Sequence, residues 1–581
     1  MFSTNGGSTT ENEENLFEQP PVDDQSTSFV ENEIEPQKPK KKLNPAIIAV
    51  ISVLVLVVGI FAVGKLFFNR DFSQLLEGKT KYAQKMELAT AKQSANFIVT
   101  SLDKGHTLLQ TYTKPKTIES NMQLNFKFED EFIKNSGLSK EDSATMQQLV
   151  NYINSLKVDS KILMNEKGMQ SSFVLKDPSA LKLSINTLSY EDGKMYVQFP
   201  ELLDKYLDPG NSTVSPYSLA KTKYDSAKLR ASLNKLANIY AGALANAEVT
   251  AQNDASVTVD GETVQGQKLT ASLTEQQTAE LVNALAKAVK EDDYLFTMIS
   301  DNYNLYSNLF GDTKSKTLTK EQFDSEIDKM FFIKDLDINK PAFSATSYIA
   351  QNGALLAHSY TIKETDDTTN LTYLIAEKKQ AVELMVNEKS ALRFSNTMTE
   401  KDTGRLQLNA IAEKGTKTAG LNVDYSAAKI VPYLDYEVLT GKYTITLNDP
   451  DKEIENTFKG TDIPAWFRDF HKMSLTVDTA LNGDELQSAI TFAVPKLMTV
   501  SASEKSNGTM GENTIPAQPE ASKVVDLTKI ESNEAANELS INTIKYLAET
   551  MKKDPELTAL LANFGITQEQ MDTLAAYYAK N

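Results

Sequence analysis

The chain has no cysteine, three histidines and a single tryptophan. Without thiols it forms no disulfide, offers no cysteine for a lipid anchor, and lacks the usual ligands of structural zinc. His106, His358 and His471 have no second histidine or carboxylate at metal-motif spacing such as i, i+4. Neither the G-x-x-x-x-G-K-[ST] nor the G-x-G-x-x-G phosphate cradle occurs. Positive charge is short as well: the net charge is −18. That balance disfavours nucleic acid and tight binding to anionic wall polymers, and it fits a solvated, self-repelling surface. The composition therefore implies no cofactor and no metal.

Against these absences stands one long apolar run, Leu43 to Gly64, with no charged residue among its 22 positions. As a helix it would reach roughly 33 Å, against about 30 Å for the hydrocarbon core of a bilayer. The sequence predicts a transmembrane helix over 43–68. Lys38, Lys40, Lys41 and Lys42 outweigh Lys65 and Arg70 on the far side, so the N-terminus is expected in the cytoplasm and the bulk of the chain outside. The run is longer than a signal-peptide core, and bulky Leu66, Phe67 and Phe68 follow it where a cleavage site needs small residues. Residues 1–42 are acidic and poor in apolar side chains, which reads as a disordered cytosolic tail. Leu16-Phe17 and Phe29-Val30 lie within it either as docking motifs or as plain spacer.

Beyond the run, Asp71 to Thr113 shows loose helical spacing. The period then falls to two in Met122-Gln-Leu124-Asn-Phe126-Lys-Phe128, the pattern of a strand with one buried face. Ser139 with Asp142 begins a helix to Ser155, and strands turn at Asn165–Gly168 and Glu191–Gly193. Helix is expected over 225–247, a hairpin around Asp260-Gly261, and a capping box at Thr274 and Gln277 opening a helix to about Phe310. Turns at Asn352-Gly353, Glu377–Lys379, Asp402–Gly404, Lys414-Gly415 and Asn482-Gly483 mark an antiparallel meander. Ser501 to Pro519 is polar and Gly/Pro-containing, hence a mobile loop over 501–519, and helices close the chain at 533–552 and 555–578. The expected domains are 69–315 and 316–525, two extracytoplasmic lobes, with 526–581 as helices packing on them. Ser179–Lys194 and Ser390–Arg405 align strand for strand, through either duplication or convergence of amphipathic hairpins.

Reaction chemistry is sparse. Ser218-Leu-Ala-Lys221 and Ser300-Asp301-Asn302 match the S-x-x-K and S-D-N of penicillin-interacting enzymes, but no K-T-G completes the set. S-x-x-K recurs at Ser101–Lys104 and Ser232–Lys235, as chance predicts, and Ser300 falls inside an expected helix. Asn448 to Glu453 is acidic but lacks the spacing of a calcium loop. Trp466, Phe467, Phe470 and Tyr433–Tyr436 gather aromatics that line either a groove or a core. No residue is assigned as catalytic, cofactor-binding or metal-binding.

The segment Tyr190-Glu-Asp-Gly-Lys-Met-Tyr-Val-Gln-Phe-Pro-Glu-Leu202 and the hairpin from Val257 through Thr270 resemble uncharacterised membrane-anchored extracytoplasmic proteins of Gram-positive (Firmicutes) bacteria. Their lobes are in turn reminiscent of lipid-carrier lipoproteins. The resemblance brings no functional residues and implies an α+β fold: one N-terminal transmembrane helix, then two lobes of curved antiparallel sheet packed with helices. The expected role is a non-enzymatic, single-pass envelope protein whose outer part binds a protein partner or an apolar or lipid ligand, with the membrane as its integral partner and no nucleic acid. Two alternatives are a scaffold that recruits a cytosolic protein through the acidic tail, and a wall-active hydrolase or transferase. Protease added to intact cells should remove most of the chain and spare the first forty or so residues, as read by antibodies to each end; protection of the bulk would overturn the orientation.

Overall fold

A computed structural model describes residues 78–210, 224–309, 318–330, 341–363, 368–411, 418–452, 455–456, 465–527 and 534–580. The expected cytosolic tail and transmembrane helix lie outside these residues. Among the described residues no helix is long and apolar enough to cross a membrane.

The chain opens with α1 (Lys79–Gln110), then β1 (Lys116–Phe128), α2 (Asp130–Asn135), α3 (Lys140–Ser155), β2 (Lys157–Asn165), β3 (Gly168–Lys176), β4 (Lys182–Tyr190), β5 (Met195–Gln198) and β6 (Tyr206–Asp208). Next come α4 (Ser226–Ala243), β7 (Glu248–Val259), β8 (Glu262–Thr274), α5 (Glu275–Lys290), α6 (Asp293–Leu309) and α7 (Lys320–Met330). A run of strands follows: β9 (Pro341–Ile349), β10 (Leu355–Lys363), β11 (Thr368–Ile375), β12 (Lys379–Val386), β13 (Lys389–Glu400) and β14 (Thr403–Ile411). It continues with β15 (Thr418–Tyr433), β16 (Tyr436–Asn448), β17 (Ser474–Asn482), β18 (Glu485–Val494), β19 (Met498–Met510) and β20 (Val524–Asp526). The last elements are α8 (Glu534–Lys553), α9 (Pro555–Asn563) and α10 (Gln568–Lys580).

Local signals explain most boundaries. Ser139 accepts from the Asp142 N–H, and Thr274 and Gln277 form the full capping box. Asp260 and Gly261, both at positive φ, turn β7 into β8. One expected helix is in fact two: Asp292 accepts from the N–H groups of Tyr294 and Leu295 and starts α6 afresh. The final helix likewise divides into α9 and α10 at Gly565, which has φ 78°.

The expected pair of separate lobes is overturned, because the strands form one sheet of 20. Its spatial order is β7 through β19 in sequence, then β1 to β6, then β20. Every pairing is antiparallel except β6 with β20. Two contacts defeat a division into lobes. β8 pairs with β9 across the expected boundary, and β1 lies between β19 and β2. β19 also occupies 498–510, so the loop expected from Ser501 is strand, paired on both sides as far as Asn507 and with β1 alone to Met510.

Among the described residues, cores lie towards the two ends of this ribbon. At one end α1, α4, α5, α6 and α7 pack with β7–β12 around residues such as Tyr82, Val99, Leu273 and Tyr360. At the other, Tyr152 joins α8–α10, and Leu188 and Tyr196 pack with Ile515. Between them β13–β19 contribute to no hydrophobic cluster among the described residues, and few of their side chains are buried. Among the described residues the middle of the sheet is largely a single layer.

Candidate functional site

Two groups of buried polar side chains come first. Glu87, on the inner face of α1, is 2% exposed. Tyr240 Oη of α4 donates to its Oε2 at 2.7 Å, and Ser347 Oγ of β9 donates to its Oε1 at 3.3 Å. Ser347 Oγ also lies 2.9 Å from His358 Nδ1, and His358 Nε2 is 3.4 Å from Glu87 Oε1. Burial, and then the Glu87 carboxylate, push the phenols of Tyr240, Tyr360 and Tyr373 well above their ordinary value, so they remain protonated. Serine, histidine and a carboxylate thus meet in one place, but Ser347 and His358 are 4% and 0% exposed. The hydroxyl has no approach for a substrate, and the cluster fixes α1 against the sheet. Sequence spacing missed it because Glu87 and His358 stand far apart in the chain.

The second group joins Asp177, at the end of β3, to Asp554, the cap of α9. Tyr152 Oη donates to Asp177 Oδ2 at 2.9 Å and approaches Asp554 Oδ2 at 3.4 Å. Asp554 is fully buried and accepts from the Leu557 N–H at 2.9 Å. Burial and then Asp177 raise the Asp554 carboxyl; burial also works on Asp177, but bonds from Asp554, Tyr152, Ser179 and Ala180 hold it below its ordinary value. Folding thus drives the two carboxyls apart, Asp554 upward and Asp177 downward. A carboxyl pair of this kind serves acid–base chemistry when it faces a cleft; here both members are spent on a helix cap and a turn.

The other sequence candidates stay apart. Ser218–Lys221 lies outside the described residues, while Ser300 is inside α6 with its hydroxyl on the Leu318 carbonyl at 3.2 Å. Asp449 and Asp451 accept from the N–H groups of Glu455 and Thr418, each at 2.7 Å, which makes the acidic run a turn closure. His106 pairs with Gln110 along α1.

What remains is the single-layer sheet, whose two faces differ sharply. In register across β14 to β18 stand Leu406, Val423, Ile445, Leu475 and Phe492, and the row continues through Val500 of β19 to Phe126 of β1. Beside it a second row runs Tyr425, Tyr443, Val477, Ile490, Ala502 and Leu124. Alternation puts Arg405, Asp424, Lys442, Asp478 and Lys505 on the opposite face. On that polar face, adjoining depressions of about 500 and 350 Å³ share Asn121 and Lys505, and ion pairs such as Lys161–Glu119 occupy its charges. The apolar face is not covered in the ordinary way: Ile490 is 49% exposed, Leu408 42% and Leu421 41%.

Two devices flank the rows on the apolar face. At one side Phe470 covers a rung of the first row itself, packing on Phe492 with ring centres 6.1 Å apart. At the other, the tip of the β15–β16 hairpin bends over β19. A bulge between Ser426 and Lys429, with Ala427 at φ 51° opposite Gly441 at φ 115°, makes the bend. Gly441 has no room for a side chain, since a Cβ there would lie 2.7 Å from the Ser426 carbonyl oxygen. Leu434 at the tip covers Gly508 and Tyr433 Oη reaches the Ser506 carbonyl. Asp435 then takes Lys116 Nζ at 3.0 Å and Lys114 Nζ at 3.3 Å, with the Tyr436 ring 5.2 Å from Lys116 Nζ. The Lys116 side chain is only 2% exposed. Burial pulls its ammonium below the ordinary value despite Asp435, while the two lysines hold Asp435 below the carboxylate range against its own burial.

No family model matches this chain, and no curated protein matches it. Among solved structures it was compared with a double mutant of transferrin binding protein B, a vaccine antigen of Haemophilus parasuis Hp5: 8% identity and a TM-score of 0.08, over 69% of this chain and 78% of that one. So slight a likeness carries neither fold nor function.

Two substitutions test these contacts. Asp435→Ala leaves Lys116 buried without its partner and should cost about 3–5 kcal/mol, with faster hydrogen exchange over 429–440; unchanged exchange would show that the ion pair does not hold the hairpin tip. A carboxyl raised by folding stabilises the protein at acid pH and loses that contribution as pH climbs through its folded value. Asp554→Asn still caps α9 but cannot ionise. Its melting temperature should match the parent near pH 4 and exceed it near pH 8; an equal or lower value at pH 8 would sink the raised Asp554 carboxyl.

Proposed function

We propose that this is a non-enzymatic envelope protein, attached to the membrane with its sheet outside the cytoplasm, whose apolar sheet face holds a lipid. The observation that carries the reading is the pair of in-register apolar rows on a layer that the described residues leave largely uncovered, Phe470 on Phe492 apart. Partly exposed Leu, Ile, Val and Phe side chains in one patch are costly in water, at roughly 25 cal/mol per Å² left uncovered. Patches of this kind mark a surface that is covered in use. A lipid chain matches it, because the rows offer almost no hydrogen-bonding group. The membrane attachment and orientation rest on the uncharged run Leu43–Gly64 and its flanking lysines, and the resemblance to membrane-anchored envelope proteins points the same way. The buried Glu87–His358 and Asp177–Asp554 groups, closed to substrate, support a role without catalysis.

The full-length protein and Ile490→Asp should be purified in parallel and their lipids extracted and weighed by mass spectrometry. Lipid that merely surrounds the membrane attachment is common to both. The parent should retain about one further lipid per chain that the variant loses; equal lipid content would refute the reading, and a co-purifying protein lost in the variant would assign the face to a partner instead.

A further inference from the structure

We propose that Lys116 and Asp435 condense into an amide, joining the first residue of β1 covalently to the tip of the β15–β16 hairpin. The two positions are 319 residues apart in the chain and meet at 3.0 Å, Lys116 Nζ to Asp435 Oδ1. Among the described residues no other lysine–carboxylate pair is so buried. The Lys116 side chain is 2% exposed and that of Asp435 11%, against 19% and 17% in the next pair, Lys379–Asp260. A buried ion pair is stable when its remaining donors and acceptors are satisfied, and here they are not. An ammonium has three N–H donors, and Asp435 Oδ1 is the one hydrogen-bond acceptor that Lys116 Nζ reaches among the described residues. The Tyr436 ring, 5.2 Å away, offers only its π face. Asp435 Oδ2 is buried without a well-directed hydrogen bond, the nearest cation being Lys114 Nζ at 3.3 Å. An amide in the same place has one N–H and one oxygen, so condensation removes the surplus donors and both charges.

The two lysines hold Asp435 ionised, so the step begins with a proton passing from Lys116 Nζ to Asp435 Oδ1 along their contact. Burial, which already draws the Lys116 ammonium below its ordinary value, favours the neutral amine and acid that result. The amine lone pair attacks the Asp435 carboxyl carbon, one bond beyond the oxygen it touches. The carbonyl electron pair moves onto Oδ2, where the Lys114 ammonium meets the developing charge. The nitrogen gives its second proton to Oδ1, and the C–Oδ1 bond breaks. Oδ1 leaves as water past the half-exposed Lys114 side chain, and Oδ2 becomes the amide carbonyl. Atoms and charge balance without a co-reactant. Two groups that the fold holds in contact also have no encounter to wait for. The bond forms whatever covers the apolar face, so its absence would leave the lipid reading untouched.

The test is the intact mass of the full-length protein, purified in detergent and then denatured, with a tryptic digest of the same sample. The parent should be lighter than its sequence by one water, and the digest should contain a branched peptide joining the segments around Lys116 and Asp435. Lys116→Arg keeps a cation beside Asp435 but offers no amine, so it should show its full sequence mass and no branched peptide. A parent at full sequence mass, without the branched peptide, would overturn the proposal whether or not the variant folds. So would a loss of water that persists in Lys116→Arg, since that places the change elsewhere, as in a succinimide at Asp260-Gly261.

Discussion

The fold depends on the insertion of one strand. β1 pairs along its whole length with β19 and along most of it with β2. Remove it and the ribbon separates into a piece running from β7 to β19 and a piece running from β2 to β20. Both pieces have helices at their far ends, but the middle strands have no core to hold them. Their stability comes from ladder hydrogen bonds and cross-strand pairs such as Arg405–Asp424, which meet at 2.5 Å. Among the described residues a layer held this way stays largely open on both faces, covered on one only where Phe470 and the hairpin tip rest.

The position of β1 also sets where the hairpin tip can rest. Lys116 begins β1, and the bent β15–β16 hairpin finds its buried charge there. α1 precedes β1 and is fixed at its other end by Glu87. Lys104 near the C-terminal end of α1 meets Glu437 of the same hairpin at 3.0 Å. One helix thus touches both the packed end of the sheet and the arm that borders the apolar rows, although surface pairs such as Lys104–Glu437 add little stability.

Much of the local structure was legible. Hairpins at Asp260-Gly261 and Asn482-Gly483 follow from residues that accept positive φ, and the Thr274 cap follows from hydroxyl and amide chemistry. The strand pairing that decides the architecture was not, because nothing local records that Ser501 to Met510 will lie against β1. With Ser503, Lys505 and Asn507 on the polar face and small Ala502 and Gly508 on the other, that stretch reads as loop. Alternation in Tyr443-Thr-Ile445-Thr-Leu447 correctly marks one apolar face, yet alternation cannot tell a face buried under a second layer from one left open. The candidate surface was therefore visible strand by strand and invisible as a surface. The buried Glu87–His358 contact was hidden for a similar reason, being made by tertiary packing alone.

The partnership of Lys116 with Met510 has a kinetic price. About two-thirds of the chain separates those two residues, and distant pairings of this sort slow folding. A polypeptide emerging N-terminus first must keep β1 unsatisfied on one edge until β19 arrives. Throughout that wait its alternating Leu124, Phe126 and Phe128 stay open to aggregation with neighbouring copies. The yield of such a molecule should be limited by assembly rather than by the endurance of the finished sheet.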